Sequence, residues 1–131
     1  MSEESFPNAA RQQGRQIADE IARVMSEQIG RGPVSCRVIV NGDAVIAILH
    51  GSLTKAEQTL VEHGRTAEVL ALRRALQQLA GPAFIAEVQR ITGRKVETFM
   101  STNHAAPDCA AEIFLLSGPL DPDDPEPRAV H

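Results

Sequence analysis

The residue best placed to do chemistry in this 131-residue chain is Arg31, set between Gly30 and Gly32 and followed by Pro33. Glycines let a backbone come close to a ligand, and a planar guanidinium recognises carboxylate or phosphate. A plainer account, in which the glycines make a turn and Arg31 pairs with a nearby carboxylate, fits the same residues and is favoured. Thr54 and Glu57 supply polar groups at a helix start, where unpaired N–H groups attract anions. Their spacing is also that of a capping box, which accounts for both without a ligand. Arg73, beside Arg74 on a long helix, can reach toward the same place, although a helix-surface arginine is usually solvated or ion-paired. If Arg31 and Arg73 converge, with Gly32 and Thr54 beside them, the four form a site for a small anion or metabolite.

A second group of reactive residue types is His104, Asp108 and Cys109 in one loop. They lack the Cys-x-x-Cys or paired-histidine spacing of a metal site, so a polar connection with a buried cysteine is the better account. Cys109 with His104 shows neither an orienting third group nor an oxyanion hole. His50 and His63 flank a short helix as isolated histidines. Phosphate loop, dinucleotide fingerprint and paired-carboxylate motifs are all missing. No catalytic residue, metal or cofactor is assigned, and an enzyme is the least supported class.

The elements that must position these residues follow from periodicity. Asn8 can cap a helix reaching about Gln28, with Ile17, Ile21, Val24, Met25 and Gln28 on one face and Arg15, Asp19, Arg23 and Glu27 opposite. Gly30 and Gly32-Pro33 end it. Val34, Cys36, Val38 and Val40 share one face of a strand, Asn41-Gly42-Asp43 reverses the chain, and residues 44–50 return, apolar at nearly every position. Such a strand is central in its sheet or covered on both faces. A short helix follows Thr54. A longer one after Thr66 carries the seam Val69, Leu72, Leu76, Leu79 and Ala83, is interrupted or kinked at Gly81-Pro82, and resumes with Phe84, Ile85, Val88 and Ile91. Residues 94–102 and 109–117 read as a second strand pair joined by a loop over 103–108. In the last strand Ala111, Ile113 and Leu115 take one face and Glu112, Phe114 and Leu116 the other, as in an antiparallel sheet with one wetted side. The expected class is α+β in the order α-β-β-α-α-β-β, a four-stranded mainly antiparallel sheet from two hairpins with helices packed on one face. The domain is expected over residues 8–117, with an acidic, proline-rich tail over 118–131 that should be disordered.

Composition narrows the partners. The chain has no Trp or Tyr and four Phe, and its net charge of -4 is concentrated in the tail, where Asp121, Asp123, Asp124 and Glu126 oppose Arg128. A nearly neutral body with few aromatics argues against nucleic acid. The acidic N-terminus lacks an apolar signal region, and no apolar run approaches a membrane span, so a cytoplasmic protein without direct membrane insertion is expected. Two cysteines, Cys36 and Cys109, make no disulfide framework. The apolar helix faces exceed what one small sheet covers, which predicts a homo-oligomer.

Several stretches also match a known pattern in order and spacing: Gly30-Arg31-Gly32-Pro33, Gly51-Ser52-Leu53-Thr54 with Glu57 and Leu60, Arg73, Thr92-Gly93-Arg94-Lys95-Val96, and Asp108 ahead of Phe114-Leu115-Leu116. Over about residues 9–117 the chain resembles the MpsC-like family of small bacterial proteins, named for a sodium-translocating, membrane-potential-generating system. The resemblance implies an accessory or binding module associated with a membrane transport system, and supplies no active site. The acidic tail and the Asn103-His104 loop are where this chain departs from the family.

Overall fold

The computed structural model of the protein describes residues 2–124 and 128–130. Along the chain lie α1 (Ser2–Gln28), β1 (Ser35–Asn41), β2 (Ala44–His50), α2 (Lys55–Glu62), α3 (Thr66–Thr92), β3 (Val96–His104) and β4 (Cys109–Leu116). This is the α+β order expected. All pairings are antiparallel and the strand order is β1-β2-β4-β3, so each hairpin puts one strand at the centre and one at an edge. The strand expected to be central, β2, is central because β4 pairs along its full length, from Ala44 opposite Leu115 to His50 opposite Cys109.

The helices lie on one face. Ile17, Ile21, Val24 and Met25 of α1 and Ala80, Phe84 and Val88 of α3 form one core with Val45, Ala47 and Leu49 of β2 and Ala110, Phe114 and Leu116 of β4. Phe99 sits between Phe84 and Phe114, with ring centroids 6.3 and 5.1 Å away, and such pairs add about 0.5–1.5 kcal/mol each beyond their buried area. Among the described residues no helix lies on the opposite face of the sheet. Its residues are the alternate set: Ile39 and Arg37 on β1, Ile46 and Ile48 on β2, Ile113 and Leu115 on β4, Met100 and Thr102 on β3. The wetted side is therefore the apolar one, and Glu112 points into the helix-covered side with Phe114 and Leu116.

Three local expectations change. The first helix begins at Ser2, ahead of Pro7, so Asn8 lies inside it and is not its cap. The long helix runs unbroken through Gly81-Pro82. The proline removes only its own donor, and Ala80, Gly81 and Phe84 are buried around it and hold the turn in place. Most consequential, the face that α3 buries is not the leucine seam. Leu72 and Leu79 are 46% and 76% exposed, whereas Val69, Arg73, Gln77, Ala80, Phe84 and Val88 are buried. Polar partners elsewhere in the fold accept Arg73 and Gln77, so that face can be buried at all. Of the tail expected over 118–131, residues 125–127 and 131 lie outside the described residues. Its earlier part makes turns, with the Leu120 amide donating to the Gly42 carbonyl.

Candidate functional site

The residues singled out from the sequence meet at one loop, 51–54, between β2 and α2. The Thr54 hydroxyl accepts from the Glu57 amide at 3.2 Å, and Glu57 Oε1 accepts from the Thr54 amide at 2.8 Å, completing the capping box. Arg73 reaches across from α3. Its Nε donates to Glu57 Oε2 at 2.8 Å, and its Nη2 donates to Glu57 Oε1 at 2.6 Å and to the Ser52 carbonyl. Both side chains are almost fully buried, at 1% and 4% exposure. Arg73 is thus an interior arginine and not a helix-surface one. Burial alone would push the Glu57 carboxyl up, but the Arg73 guanidinium and the Thr54 amide hold it below the usual carboxylate range.

Arg31 arrives at the same loop from the α1–β1 junction, its Nη1 donating to the Leu53 carbonyl at 3.0 Å. The two arginines do converge, then, on consecutive carbonyls. Its neighbour Gly32 packs against α1: a Cβ there would stand 3.2 Å from the Ala22 carbonyl oxygen. From the far side, the Asp108 carboxylate accepts from the Ser52 and Leu53 amides at 3.2 and 3.0 Å. Arg31, Thr54, Glu57, Arg73 and Asp108 therefore brace one turn, whereas Gly32 packs against α1 and does not join them. One atom in this knot, Arg73 Nη1, is buried without a partner.

A second polar centre lies one turn further along α3 and was not evident from the sequence. A groove of about 760 Å³ opens between α3 and the edge strand β3. Leu70, Ala71, Pro82, Ile85 and Phe99 give it apolar walls, and Arg74, Gln77, Gln78, Ser101, Thr102 and Asn103 line its polar part. Gly81 lets the walls close up, since a Cβ there would lie 3.1 Å from the Phe99 ring. The Gln77 and Asn103 carboxamides bond each other reciprocally, and Gln77 Nε2 also donates to Glu112 Oε1 at 2.7 Å. Glu112 is fully buried, and its Oε2 has no hydrogen-bond partner. Burial pushes its carboxyl up to about 7, against the smaller, opposite pull of the Ser101 hydroxyl and the Gln77 amide. An apolar cleft with a few convergent polar groups is the usual form of a small-molecule site, and the Glu112 carboxyl lies behind its Gln77 wall without lining it. The signal available in the sequence was positional. Arg73 and Gln77 fall four residues apart on the stripe Val69–Arg73–Gln77–Ala80–Phe84–Val88, and Glu112 is in phase with Ala110, Phe114 and Leu116.

The His104 loop has a different geometry. His104 and His50 stand opposite Cys109 in register, so the three form one row across the end of the sheet. His104 Nδ1 lies 2.9 Å from the Pro107 carbonyl. Among the described residues no three His, Cys, Asp or Glu side chains are grouped to hold a metal ion. Both cysteines are free, and burial, with Asp19 and Glu112 nearby, pushes the Cys36 thiol up to about 11, which suppresses its thiolate.

Fold and site together define a small α+β domain with one helix-covered sheet face, a braced loop and a polar-lined cleft beside an edge strand. The family described as "Na+-translocating membrane potential-generating system (MpsC)" matches residues 10–118, and the chain belongs to that family. No curated protein and no solved structure matches it. Among the described residues no helix is long and apolar enough to cross a membrane.

Proposed function

We propose that this protein is a non-enzymatic accessory module of the Na+-translocating system for which its family is named, acting as a homo-oligomer and binding a small molecule in the groove between α3 and β3. The observation that carries the binding reading is the buried Glu112 carboxyl, one oxygen unpartnered, behind the Gln77–Asn103 pair that lines the groove. The chemistry suits a ligand with an apolar body and a hydrogen-bond-donating end, an amide or an amine. Alkylamides and alkylamines titrated into the ¹⁵N-labelled protein test it. Binding shifts the side-chain amide signals of Gln77 and Asn103, and Ser101→Phe, which fills the cleft, abolishes the shifts. Shifts that are absent in the wild type, or unchanged in Ser101→Phe, defeat the reading. The link to the transport system is tested by affinity isolation of the full chain from detergent-solubilised membranes, with recovery of a component of that system as the expected result.

A second reading, a small-anion sensor using Arg31, Gly32, Thr54 and Arg73, draws on the meeting of the two arginines at one loop and on the unpartnered Arg73 Nη1. Its signature is a thermal shift with phosphate or a small carboxylate that disappears in Arg31→Ala.

A further inference from the structure

We propose that the open face of the sheet is where two copies of this chain meet, sheet against sheet. This deepens the homo-oligomer part of the proposed function and is independent of the groove. The starting point is a mismatch between pattern and cover. An antiparallel sheet wetted on one side alternates apolar and polar residues, whereas β2 and β4 are apolar on both faces. Helices cover the Val45, Ala47 and Leu49 side. Over the other side a cross-strand row, Ile39–Ile46–Ile113–Met100, runs through all four strands in register, extended by Ile48 and Leu115. Ile39 and Met100, on the two edge strands, are 40% and 45% exposed.

Among the described residues after β4, no large apolar side chain lies over that face. In the segment after β4 the large apolar residues are Leu120 and Val130. Leu120 borders a cavity with Ala10 and Val40, on the helix side, and Val130 is 90% exposed. A lipid surface is disfavoured because anionic headgroups select clustered Lys and Arg, and in the alternate set facing outward Arg37, on an edge strand, is the single such residue, with His50 and His104 at the end of the sheet. That scarcity of charge is what allows the face to meet its own copy, since an isologous contact sets like residues near like and repels if they are charged. The layout is that of an interface, with an apolar centre inside a rim of Arg37, Asn41, Thr98 and Thr102.

The area suffices. Four strands ~4.8 Å apart, each about seven residues long at ~3.4 Å, give a face of roughly 450 Å² in projection. Two such faces bury about 900 Å² in projection and more with side-chain relief, the range of a weak, concentration-dependent dimer.

Sedimentation equilibrium of the full chain over a concentration series tests the proposal, with Ile39→Glu/Met100→Glu as the interface variant. Both positions are exposed in the single chain, so the variant should keep the wild-type far-ultraviolet dichroism. The wild type is expected to dimerise, and the variant to raise the dissociation constant about 100-fold or more. Should the variant not fold, isotope-filtered NOEs in a mixed-label wild-type sample decide, because Ile46 and Ile113 methyls must then report protons of the other copy. The proposal is overturned by a wild type that stays monomeric at about 0.5 mM, including one that instead pellets with anionic vesicles. It is equally overturned by a dimer that survives the sheet variant and dissociates in Leu72→Glu/Leu79→Glu. Loss of ligand binding without change in sedimentation concerns the groove alone.

Discussion

Two buried glutamates bond side chains one helical turn apart on α3, Glu57 to Arg73 and Glu112 to Gln77, and meet opposite fates. Glu57 and Glu112 are 3% and 0% exposed, and Glu112 lies the deeper of the two. Glu57 faces the fixed charge of Arg73 and its own helix cap, and is held ionised. Glu112 faces only a carboxamide and a hydroxyl, whose dipoles do not offset desolvation, and its carboxyl rises to about 7. The first arrangement closes a loop, the second stands behind the wall of a cleft, and each leaves one atom unpartnered, Arg73 Nη1 and Glu112 Oε2. Burial therefore does not distinguish a brace from a binding site; the partner of the buried charge does.

The comparison breaks most sharply at Arg73. Arg73→Ala strands Glu57 as an uncompensated buried charge and should cost about 3–5 kcal/mol in urea unfolding, whereas the apolar pair Arg73→Met/Glu57→Leu should recover most of it. If Arg73→Ala unfolds at the wild-type urea midpoint, the loop is not braced by this pair.

Glu112 should give a somewhat smaller effect with a distinctive pH profile. Between the ordinary value of 4.5 and about 7 the unfolded chain has released this proton and the folded chain still holds it. Stability should therefore fall as pH rises through that window and level off above it, by about 3 kcal/mol in all. Glu112→Gln keeps an acceptor for Gln77 without the ionisation, so it should flatten this component and stabilise the protein at pH 8. A variant with the wild-type pH profile would show that Glu112 is not the titrating group. The Glu57 contribution has the opposite sign, present at neutral pH and lost as acid protonates the pair.

Smaller effects sharpen the contrast. Asn103→Ala breaks the reciprocal amide pair at the groove and should cost about 1–2 kcal/mol while shifting the Glu112 titration, because Gln77 is then free to reorient. Thr54→Ala removes one cap bond and should cost about 1 kcal/mol with no change in that titration. Equal effects on the titration would erase the distinction between the two centres.

The elements and their order were legible from local patterns: the glycine and proline punctuation around residue 31, the Asn41-Gly42 turn, the Thr54–Glu57 box and the alternation of the strands. Local rules suffice there because each acts over a few residues. The same sequence pattern pointed to Arg31, Thr54 and Arg73, and they do meet, although at carbonyls and a carboxylate of the chain itself. The α3–β3 groove was not legible. Gln77 meets residues 26 and 35 positions away, and a helix read by its leucines alone presents the wrong face. Arg73 and Gln77 can be buried only because Glu57, Asn103 and Glu112 wait for them on other elements, and no periodicity records that. Taken alone, the sequence determined which segments are helix and strand, and that β2 is apolar on both sides. Only the tertiary structure decided which side of α3 and of β4 turns inward, because burying a polar group depends on a partner brought to it by the fold.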